Sequence, residues 1–392
     1  MNPQSQHFLF VVTFYSDLVG GHLLSALELG ECLYNRGHTV GLLAKPFDLP
    51  DLTGTHIRLH KSPYKKSSVT SHIRRIRDIG TVVRKYQYNV LVAMEPYAAR
   101  HAGIIAGLYG LPMIQILPGG RVPGRSAPLK LPGIVVFSQE LFDGLQNQHN
   151  ISPNDILLSR GRIDFKRFQE VPRSVNDHSL GFNDSSQRIL AISRLTPEKS
   201  KALFALLDQV ECAAAGRPVQ LIIIGEGQAR PRLEERAREI SQRTGPAATI
   251  KFTGFLRVQP SHLRQADLVV GQGRTVLEAI AAGTPAAVSG SNGYHGLLTF
   301  ATLPLLERTN LTGRSLPPKG DLLSDLQRLT EYRQNDFFSF RNKVIEMYDA
   351  NSGARVIEEA LALILARHST PWQLRVQLTS AWAGELQRMC RY

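Results

Sequence analysis

Cysteine is scarce in this chain of 392 residues, which contains only Cys32, Cys212 and Cys390. No pair of them has the spacing of a metal site, and three cysteines are too few for a disulfide framework. This scarcity favours a reducing compartment and predicts a cytoplasmic protein. Apolar runs are also short. None approaches the roughly 20 residues of a membrane-spanning helix, and Phe8–Phe14 suits a buried first strand better than a signal peptide.

Acidic residues are outnumbered in this sequence. It has 46 lysines and arginines against 33 aspartates and glutamates, a formal net charge of +13, and such an excess attracts anions. The stretch Arg58–Lys85 is the most basic part, and Asp78 is its only acid. We expect it to contact an acidic acceptor or, peripherally, the anionic inner face of a membrane. A solvated surface is the simpler alternative, and the scarcity of interleaved aromatic residues disfavours single-stranded nucleic acid. The cations are Arg58, Lys61, Lys65, Lys66, Arg74, Arg75, Arg77, Arg84 and Lys85.

Short apolar runs alternate with helical patterns in two blocks, which predicts parallel βαβ units and an α/β fold. A polar segment with Pro, Gly and Asn separates the blocks and is typical of a linker. The sequence therefore predicts an N-terminal domain at residues 1–168, a linker at 169–187, a second domain at 188–355 and a C-terminal helical segment at 356–392. The predicted strands are Phe8–Phe14, Val40–Ala44, Val90–Met94, Met113–Leu117, Ile134–Phe137, Ile189–Ile192, Val219–Ile224, Ile250–Phe252, Leu268–Val270 and Ala286–Val288, and the predicted helices are Gly21–Asn35, Tyr97–Tyr109, Lys199–Ala215, Arg230–Arg243 and Arg274–Ala282.

A turn with two cations follows the predicted strand Ile189–Ile192. Within the segment SRLTPEKS at 193–200, Arg194 and Lys199 flank the start of the next helix. Ligands of open α/β sheets bind at the carboxyl ends of strands, beside helix N-termini. Two cations there could neutralise a diphosphate leaving group as a sugar–phosphate bond breaks. The alternative is a solvated loop that caps a helix.

A G-x-G turn, Gly225 and Gly227, follows the strand Val219–Ile224. Glycines let a backbone approach a ligand closely or turn sharply. The complete dinucleotide fingerprint is absent because Arg230 occupies its last position. A tight strand-to-helix turn is therefore the simpler explanation of these glycines.

A second glycine-rich turn opens the predicted helix at 274–282. Gly273, Arg274 and Thr275 lie at its start, where free backbone N–H groups could hold an anion. Glu278 lies one turn further along the same face. Its carboxylate could accept hydrogen bonds from ribose hydroxyls, or it could form an i,i+4 salt bridge with Arg274.

Together these segments resemble the donor domain of glycosyltransferase family 4. The family joins a G-R-L-x-x-E-K-G turn, a G-x-G, an F-x-G-x segment, an E-x7-E motif and A-x-G-x-P in that order. The N-terminal half is similar to the family in its Gly20-Gly21-His22 loop before the first helix and in GRIDFKRF at 161–168. The resemblance covers nearly all of residues 8–355. The matching donor-domain segments are SRLTPEKS at 193–200, GEG at 225–227, FTGF at 252–255, ADLVV at 266–270 and LEAIAAGTP at 277–285.

The resemblance implies the GT-B architecture, with two Rossmann-like domains facing across a cleft and a C-terminal helix packing back on the N-domain. It implies transfer of a hexose from a nucleoside-diphosphate sugar to a polysaccharide, glycolipid or small-molecule acceptor, with retention of configuration. It also implies no obligatory metal ion and no further cofactor, and the sequence lacks the D-x-D motif of metal-dependent transferases. Arg194 and Lys199 are the implied catalytic residues. The implied donor-binding residues are Gly20, Gly21, Gly225, Gly227, Gly273, Arg274, Thr275 and Glu278.

Two positions depart from the family pattern. The first glutamate of E-x7-E, which helps to position the donor sugar, is replaced by Val270. The family's histidine after the strand Met113–Leu117 is missing, and Pro118 begins the segment found there. His22 and His101 are the nearest histidines in sequence, and the amides of Gly119 and Gly120 could contact donor or acceptor instead. These departures leave two alternatives open: a nucleotide-sugar epimerase on the same fold, and a GT-B subunit that binds a nucleotide or a partner enzyme without turnover.

Overall fold

The computed structural model describes residues 5–12, 21–44, 55–62, 69–120, 122–124, 130–169 and 179–367. The chain divides into two compact units. The first contains Met1–Asp164 together with Tyr348–Tyr392, and the second contains Phe165–Met347. Each unit is an α/β domain with its own sheet.

The first unit is built on a seven-stranded sheet in which every pairing is parallel. The strand order is β3-β2-β1-β4-β5-β6-β7, so the order reverses between β1 and β4. The strands are β1 His7–Val11, β2 Thr39–Ala44, β3 Arg58–Lys61, β4 Val90–Ala93, β5 Met113–Leu117, β6 Ile134–Val136 and β7 Ile156–Leu158, and the helices between them are α1 Gly21–Asn35, α2 Val69–Tyr86, α3 Pro96–Tyr109 and α4 Gln139–His149.

The second unit contains a six-stranded sheet in the order β10-β9-β8-β11-β12-β13. All pairings are parallel except that of β13, which is antiparallel to β12. The strands are β8 Gln187–Ile192, β9 Val219–Ile224, β10 Ala248–Gly254, β11 Leu268–Gly271, β12 Ala286–Gly290 and β13 Gly293–Leu297. The helices are α5 Lys166–Gln169, α6 Pro197–Ala214, α7 Arg230–Thr244, α8 Pro260–Arg264, α9 Arg274–Ala281, α10 Leu303–Leu306, α11 Leu322–Asn335 and α12 Phe337–Tyr348.

The central strands are apolar because both faces of each sheet are covered. All six residues of β9 are buried, as are all four of β4. A parallel strand buried on both faces has a continuous apolar sequence rather than an alternating one. This is why the short apolar runs predict the strands well. The ten predicted strands and the five predicted helices are confirmed with shifts of a few residues at the ends, and Thr13 and Phe14 of the first predicted strand lie outside the described residues.

The last described helix, α13 (Ala350–Arg367), packs on the first unit against α1 and the sheet. Its Ala354, Ile357 and Ile364 belong to the same buried cluster as the strands of that unit. The sequence assigned residues 348–355 to the second domain, whereas here they belong to the first unit. The part of the predicted C-terminal helical segment beyond Arg367 lies outside the described residues.

A hydrogen-bonded carboxylate also fixes α13 to the first unit. Glu358 accepts hydrogen bonds from Arg36 Nε at 2.8 Å and Arg36 Nη2 at 2.6 Å, and its Oε1 lies 3.0 Å from His38 Nε2. Gly353 packs so closely against the carbonyl of Gly161 that a methyl group there would overlap its oxygen. The helix therefore needs glycine at this contact with the segment at 161.

Candidate functional site

The second sheet has one position where its strand order reverses, between β8 and β11. From β8 the chain continues to β9 on one side, and β11 is paired on the other side. The helices that follow such strands diverge, which leaves a crevice at the carboxyl ends where ligands of open α/β sheets bind. The predicted turn with the two cations Arg194 and Lys199 follows β8. The predicted glycine-rich turn at Gly273 follows β11.

The turn after β8 places its two cations differently. Arg194 is exposed, whereas Leu195 is completely buried and its N–H donates to the carbonyl of Glu226 at 2.9 Å. Thr196 precedes α6 and Pro197 is its first residue, a position where the missing N–H costs nothing. Lys199 lies in the first turn of α6. The buried Leu195 thus anchors the loop and leaves Arg194 at the surface.

Lys199 is held at the crevice by a residue from the other strand. Its Nζ donates to Oε1 of Gln272, at 2.8 Å, and Gln272 follows β11. Burial lowers the pKa of Lys199, and the positive charges of Arg194 and Arg314 lower it further. A partly buried ammonium that is subject to the positive charge of two guanidinium groups would be stabilised by a bound anion.

Gln272 connects three parts of the sheet edge. While its Oε1 accepts from Lys199, its Nε2 donates to the carbonyl of Ser289 in β12, at 2.7 Å. Ser289 in turn donates from Oγ to the carbonyl of Ala202 in α6, at 2.8 Å. The amide is therefore fixed at both ends, and with it the position of the lysine.

The helix α9 begins at the same crevice. Gly273 precedes it with φ of 56°, a value in the region that favours glycine. Arg274 Nε donates to Glu278 Oε1 at 2.6 Å, and the two side chains are only 11% and 17% exposed. The i,i+4 salt bridge considered in the sequence is thus present. Thr275 packs closely on Gly271, where an added methyl group would lie 2.7 Å from its Cγ2.

Gly225 and Gly227 have a structural role in the fold. Both have φ of 153°. A methyl group on Gly225 would overlap the carbonyl oxygen of Ser193, and one on Gly227 would lie 2.5 Å from the carbonyl carbon of Leu195. The two glycines let the end of β9 pack directly against the loop that carries Arg194. The tight-turn interpretation of the G-x-G is therefore the one that fits this geometry.

The predicted site residues of the N-terminal half lie in the first unit. Gly20 lies outside the described residues, and Gly21 is the exposed first residue of α1. His22 follows in the same helix and is half-buried. Gly119 and Gly120 follow the end of β5, with φ of 148° and 95°. The contacts proposed for these residues with donor or acceptor stay predictions.

His101 is buried between α2 and α3. Its Nε2 lies 2.9 Å from Nδ1 of His72, whose ring also contacts the hydroxyl of Tyr97 at 3.0 Å. Burial lowers the pKa of His101 to about 3, and the charges around it act in the same direction, His72 foremost. At neutral pH this ring is uncharged and fixed by its neighbours, as a core histidine would be.

Both departures from the family motif have clear positions. Val270 is 2% exposed and lies in β11, paired with Ala191 and Ala287. A carboxylate at this point would be buried within the sheet's apolar surroundings. Pro118 immediately follows β5. The structure therefore places an apolar side chain where the family has its first motif acid.

Two side chains near the crevice were not predicted. Gln272 lies between the glycines of the second turn, but its contact with Lys199 joins residues 73 positions apart, and no local pattern indicates it. Arg314 follows β13 by 17 residues in an irregular segment. Only the turn-forming Asn310, Gly313 and Ser315 around it signal an unusual backbone.

In the part of the chain that the structure describes, no three or more His, Cys, Asp or Glu side chains form a group that could hold a metal ion. Within the same ranges, no helix combines the length and apolar character needed to cross a bilayer. Metal independence stays a prediction from the resemblance.

The segment that contains all six strands of the second sheet matches a known protein family. Residues 186–299, which contain the crevice between β8 and β11, match the family model described as Glycosyl transferases group 1. No curated protein sequence matches the chain. The matched range includes Arg194, Lys199, Gln272 and Glu278.

Solved structures are similar over nearly the whole chain. A glycosyltransferase from Rickettsia africae has a TM-score of 0.68 at 15% identity, over 92% of this chain and 98% of that one. Anabaena HepE in complex with UDP and glucose has a TM-score of 0.65 at 16% identity, over 91% and 99%. Sucrose-phosphate synthase from Thermosynechococcus elongatus has 0.65 at 15%, over 93% and 100%. These likenesses show the fold, two parallel-sheet α/β domains of the GT-B type.

Proposed function

We propose that this protein is a glycosyltransferase that moves a hexose from a nucleoside-diphosphate sugar to a carbohydrate or glycolipid acceptor. Transfer with retention and without an obligatory metal ion is part of the proposal, as the family resemblance implies. The group 1 match supports the transferase class. The structural likeness to a protein that binds UDP and glucose supports a nucleotide-sugar donor.

The observation that carries the proposal is the pair of cations at the reversal of the second sheet. Lys199 is fixed by Gln272 at 2.8 Å, and its lowered pKa reflects burial and the charges of Arg194 and Arg314. Bond cleavage at a sugar–phosphate leaves negative charge on the diphosphate. Preorganised positive charge aimed at that position stabilises the transition state more than the ground state. Arg194 and Lys199 have this role in our proposal.

The beginning of α9 would hold the nucleotide. Gly273, Arg274 and Thr275 lie at the start of this helix, whose positive end favours an anion. The N–H groups of Gly273 and Thr275 donate to the carbonyls of Leu311 and Gln272, so the helix dipole rather than these two N–H groups would attract the anion. Glu278 would accept hydrogen bonds from ribose hydroxyls while its Oε1 stays bonded to Arg274. Contacts of Gly20, Gly21, His22, Gly119 and Gly120 with donor or acceptor are part of the proposal, as the family resemblance implies.

Binding and transfer measured separately test these roles. A screen of nucleoside diphosphates and their sugars by thermal shift first identifies the donor, because a ligand at 100 times its dissociation constant stabilises by about 2.7 kcal/mol. With that donor, Arg194→Ala and Lys199→Ala should lower turnover by about 100- to 1,000-fold. Glu278→Gln should mainly weaken nucleotide affinity. Unchanged affinity and rate in all three folded variants would show that the site has been assigned wrongly.

Product analysis separates this proposal from its two alternatives. A nucleotide-sugar epimerase would return a changed donor sugar without an acceptor, whereas a transferase yields a glycosylated acceptor. A subunit without turnover would bind the nucleotide and give neither product. The reason to test this last alternative is that the apolar Val270 replaces the first acid of the motif.

We also propose that the basic face of α2 contacts an anionic membrane or lipid-linked acceptor. Arg74, Arg77 and Arg84 are exposed along this helix, beside Ile73, which is 60% exposed. Arg75 is only 5% exposed and does not belong to this face. Each exposed cation could contribute about 1 kcal/mol near an acidic bilayer. Arg74→Ser, Arg77→Ser and Arg84→Ser combined should reduce co-sedimentation with acidic vesicles, and equal binding to neutral vesicles would reject the idea.

A further inference from the structure

A left-handed segment lies beside the crevice, between the 3-10 turn Glu307–Thr309 and α11. Asn310, Leu311, Gly313 and Ser315 have φ of 56°, 55°, 66° and 63°. Leu311 is fully buried. Such backbone is disfavoured for residues with a β-carbon, so it persists only where its surroundings impose it, and it often marks functional positions.

The contacts that impose this left-handed backbone come from residues at or near the ends of β11 and β12. The carbonyl of Leu311 accepts from the N–H of Gly273, at 2.9 Å, directly before α9. Gly313 packs on the imidazole of His295 so closely that a methyl group would overlap the ring. Thr312 lies against Gly290 at the end of β12. A methyl group added to Gly290 would lie 2.5 Å from the carbonyl oxygen of Thr312. The segment is thus fixed to the ends of both β11 and β12.

Arg314 is carried by this segment. Its side chain is half-buried, and its backbone N–H donates to Oγ1 of Thr312, at 3.4 Å. Its positive charge acts on Lys199, as does that of Arg194. Like charges disfavour one another, and a bound polyanion would offset that cost.

We propose that Arg314 is a third cation of the site and binds the diphosphate of the donor. The inference rests on the proposed function, since it assigns a further residue to the same donor site. A guanidinium group suits this task because its planar fork can bond two phosphate oxygens at once. The left-handed backbone would then serve to fix the chain at Arg314 next to the turn that precedes α9, through the bond between Leu311 and Gly273.

Isothermal titration of the full chain with inorganic pyrophosphate, which is independent of the base, tests the assignment, and UDP serves as a second probe. We expect Arg314→Gln to weaken pyrophosphate binding by about 10-fold or more, as losing a hydrogen bond to a charged group does. Arg308→Gln is the matched control, because Arg308 is an exposed arginine six residues earlier, and it should leave affinity unchanged. Lys199→Met reports on the site as a whole.

The outcomes separate this inference from the proposed function. Wild-type affinity in Arg314→Gln, with affinity lost in Lys199→Met, overturns the assignment of Arg314 and leaves the donor site in place. A wild-type chain that binds neither pyrophosphate nor UDP overturns both. Far-UV circular dichroism checks folding, and should Arg314→Gln fail to fold, Arg314→Met decides by the same criterion.

Discussion

Lys199 Nζ donates a hydrogen bond to Gln272 Oε1 at 2.8 Å, across the position where the strand order of the second sheet reverses. The pair joins the loop after β8 to the loop after β11. A neutral amide, rather than a carboxylate, is the partner of this partly buried ammonium. The lysine therefore keeps its positive charge for an incoming anion.

The first prediction concerns the stability that the ligand-free protein loses by holding the positive charge of Lys199. Burial and the charges of Arg194 and Arg314 lower the pKa of Lys199, so the protonated lysine destabilises the ligand-free fold. Lys199→Met should raise the melting temperature by a few degrees at neutral pH and abolish stabilisation by a nucleoside diphosphate. Lys201→Met, at an exposed position of the same helix, should change neither.

The pH dependence of this effect has a definite sign. Between the lowered pKa of Lys199 and the ordinary value of 10.5, the unfolded chain binds more protons than the folded one. Wild-type stability therefore rises with pH across that window. The advantage of Lys199→Met should be largest at neutral pH and shrink as the pH approaches 10.5. A difference that stays constant with pH would contradict the assignment to this charge.

The central strands could be predicted because burial on both faces makes them apolar. The helices could be predicted from apolar residues at helical spacing, and β9 and α1 have the expected bounds. Three strands, β3, β7 and β13, were not predicted, and β3 and β7 explain the limit of this pattern. In β3 only His60 is buried, since the strand pairs with β2 alone at the sheet edge. In β7 three residues are too few to show a period. Such strands can be identified only from their pairing with neighbouring strands in the structure.

Some residues of the candidate site could be predicted from the sequence, and others could not. Arg194 and Lys199 could be predicted because they lie within one short motif. Their relation to Gln272 and Arg314 depends on strand order and on the backbone after β13, which no local pattern records. The bond between Arg274 and Glu278 was one of two expected alternatives, and helix geometry made it foreseeable.

The second prediction concerns the glycines after β9. Gly225→Ala should destabilise the protein by about 2–4 kcal/mol, because the new methyl group overlaps the carbonyl of Ser193. Gly283→Ala is the control, since Gly283 also has positive φ, 89°, but nothing within 4 Å of an added methyl group. It should cost only about 1–2 kcal/mol, the conformational part. Equal costs in denaturant titration would mean that close packing is not what requires Gly225.

A double-mutant cycle on Arg274 and Glu278 gives the third prediction. The pair is partly buried, with Nε and Oε1 2.6 Å apart. Arg274→Met, Glu278→Gln and the double variant should reveal a coupling of about 1–3 kcal/mol in unfolding free energy. Glu278→Gln should also weaken nucleotide binding if the carboxylate serves the ribose. Coupling below about 0.5 kcal/mol would show that the two side chains act independently.

The last prediction returns to Gln272. Gln272→Glu would place a carboxylate against Lys199 and raise the pKa of that lysine, because an opposite charge favours the ammonium. The ligand-free protein should become more stable, while the added negative charge repels the diphosphate and should weaken its binding about 10-fold or more. Gln272→Met removes the hydrogen bond without adding charge.

The comparison of these two variants separates charge from position. If Lys199 only needs to be held in place, Gln272→Met should weaken diphosphate binding more than Gln272→Glu, which still holds the lysine. If its free charge is what binds the anion, Gln272→Glu should be the weaker binder and the more stable protein. Calorimetry with a nucleoside diphosphate and thermal melting measure both. We expect the second pattern, because the amide leaves the ammonium charge without a neutralising partner in the Lys199–Gln272 bond.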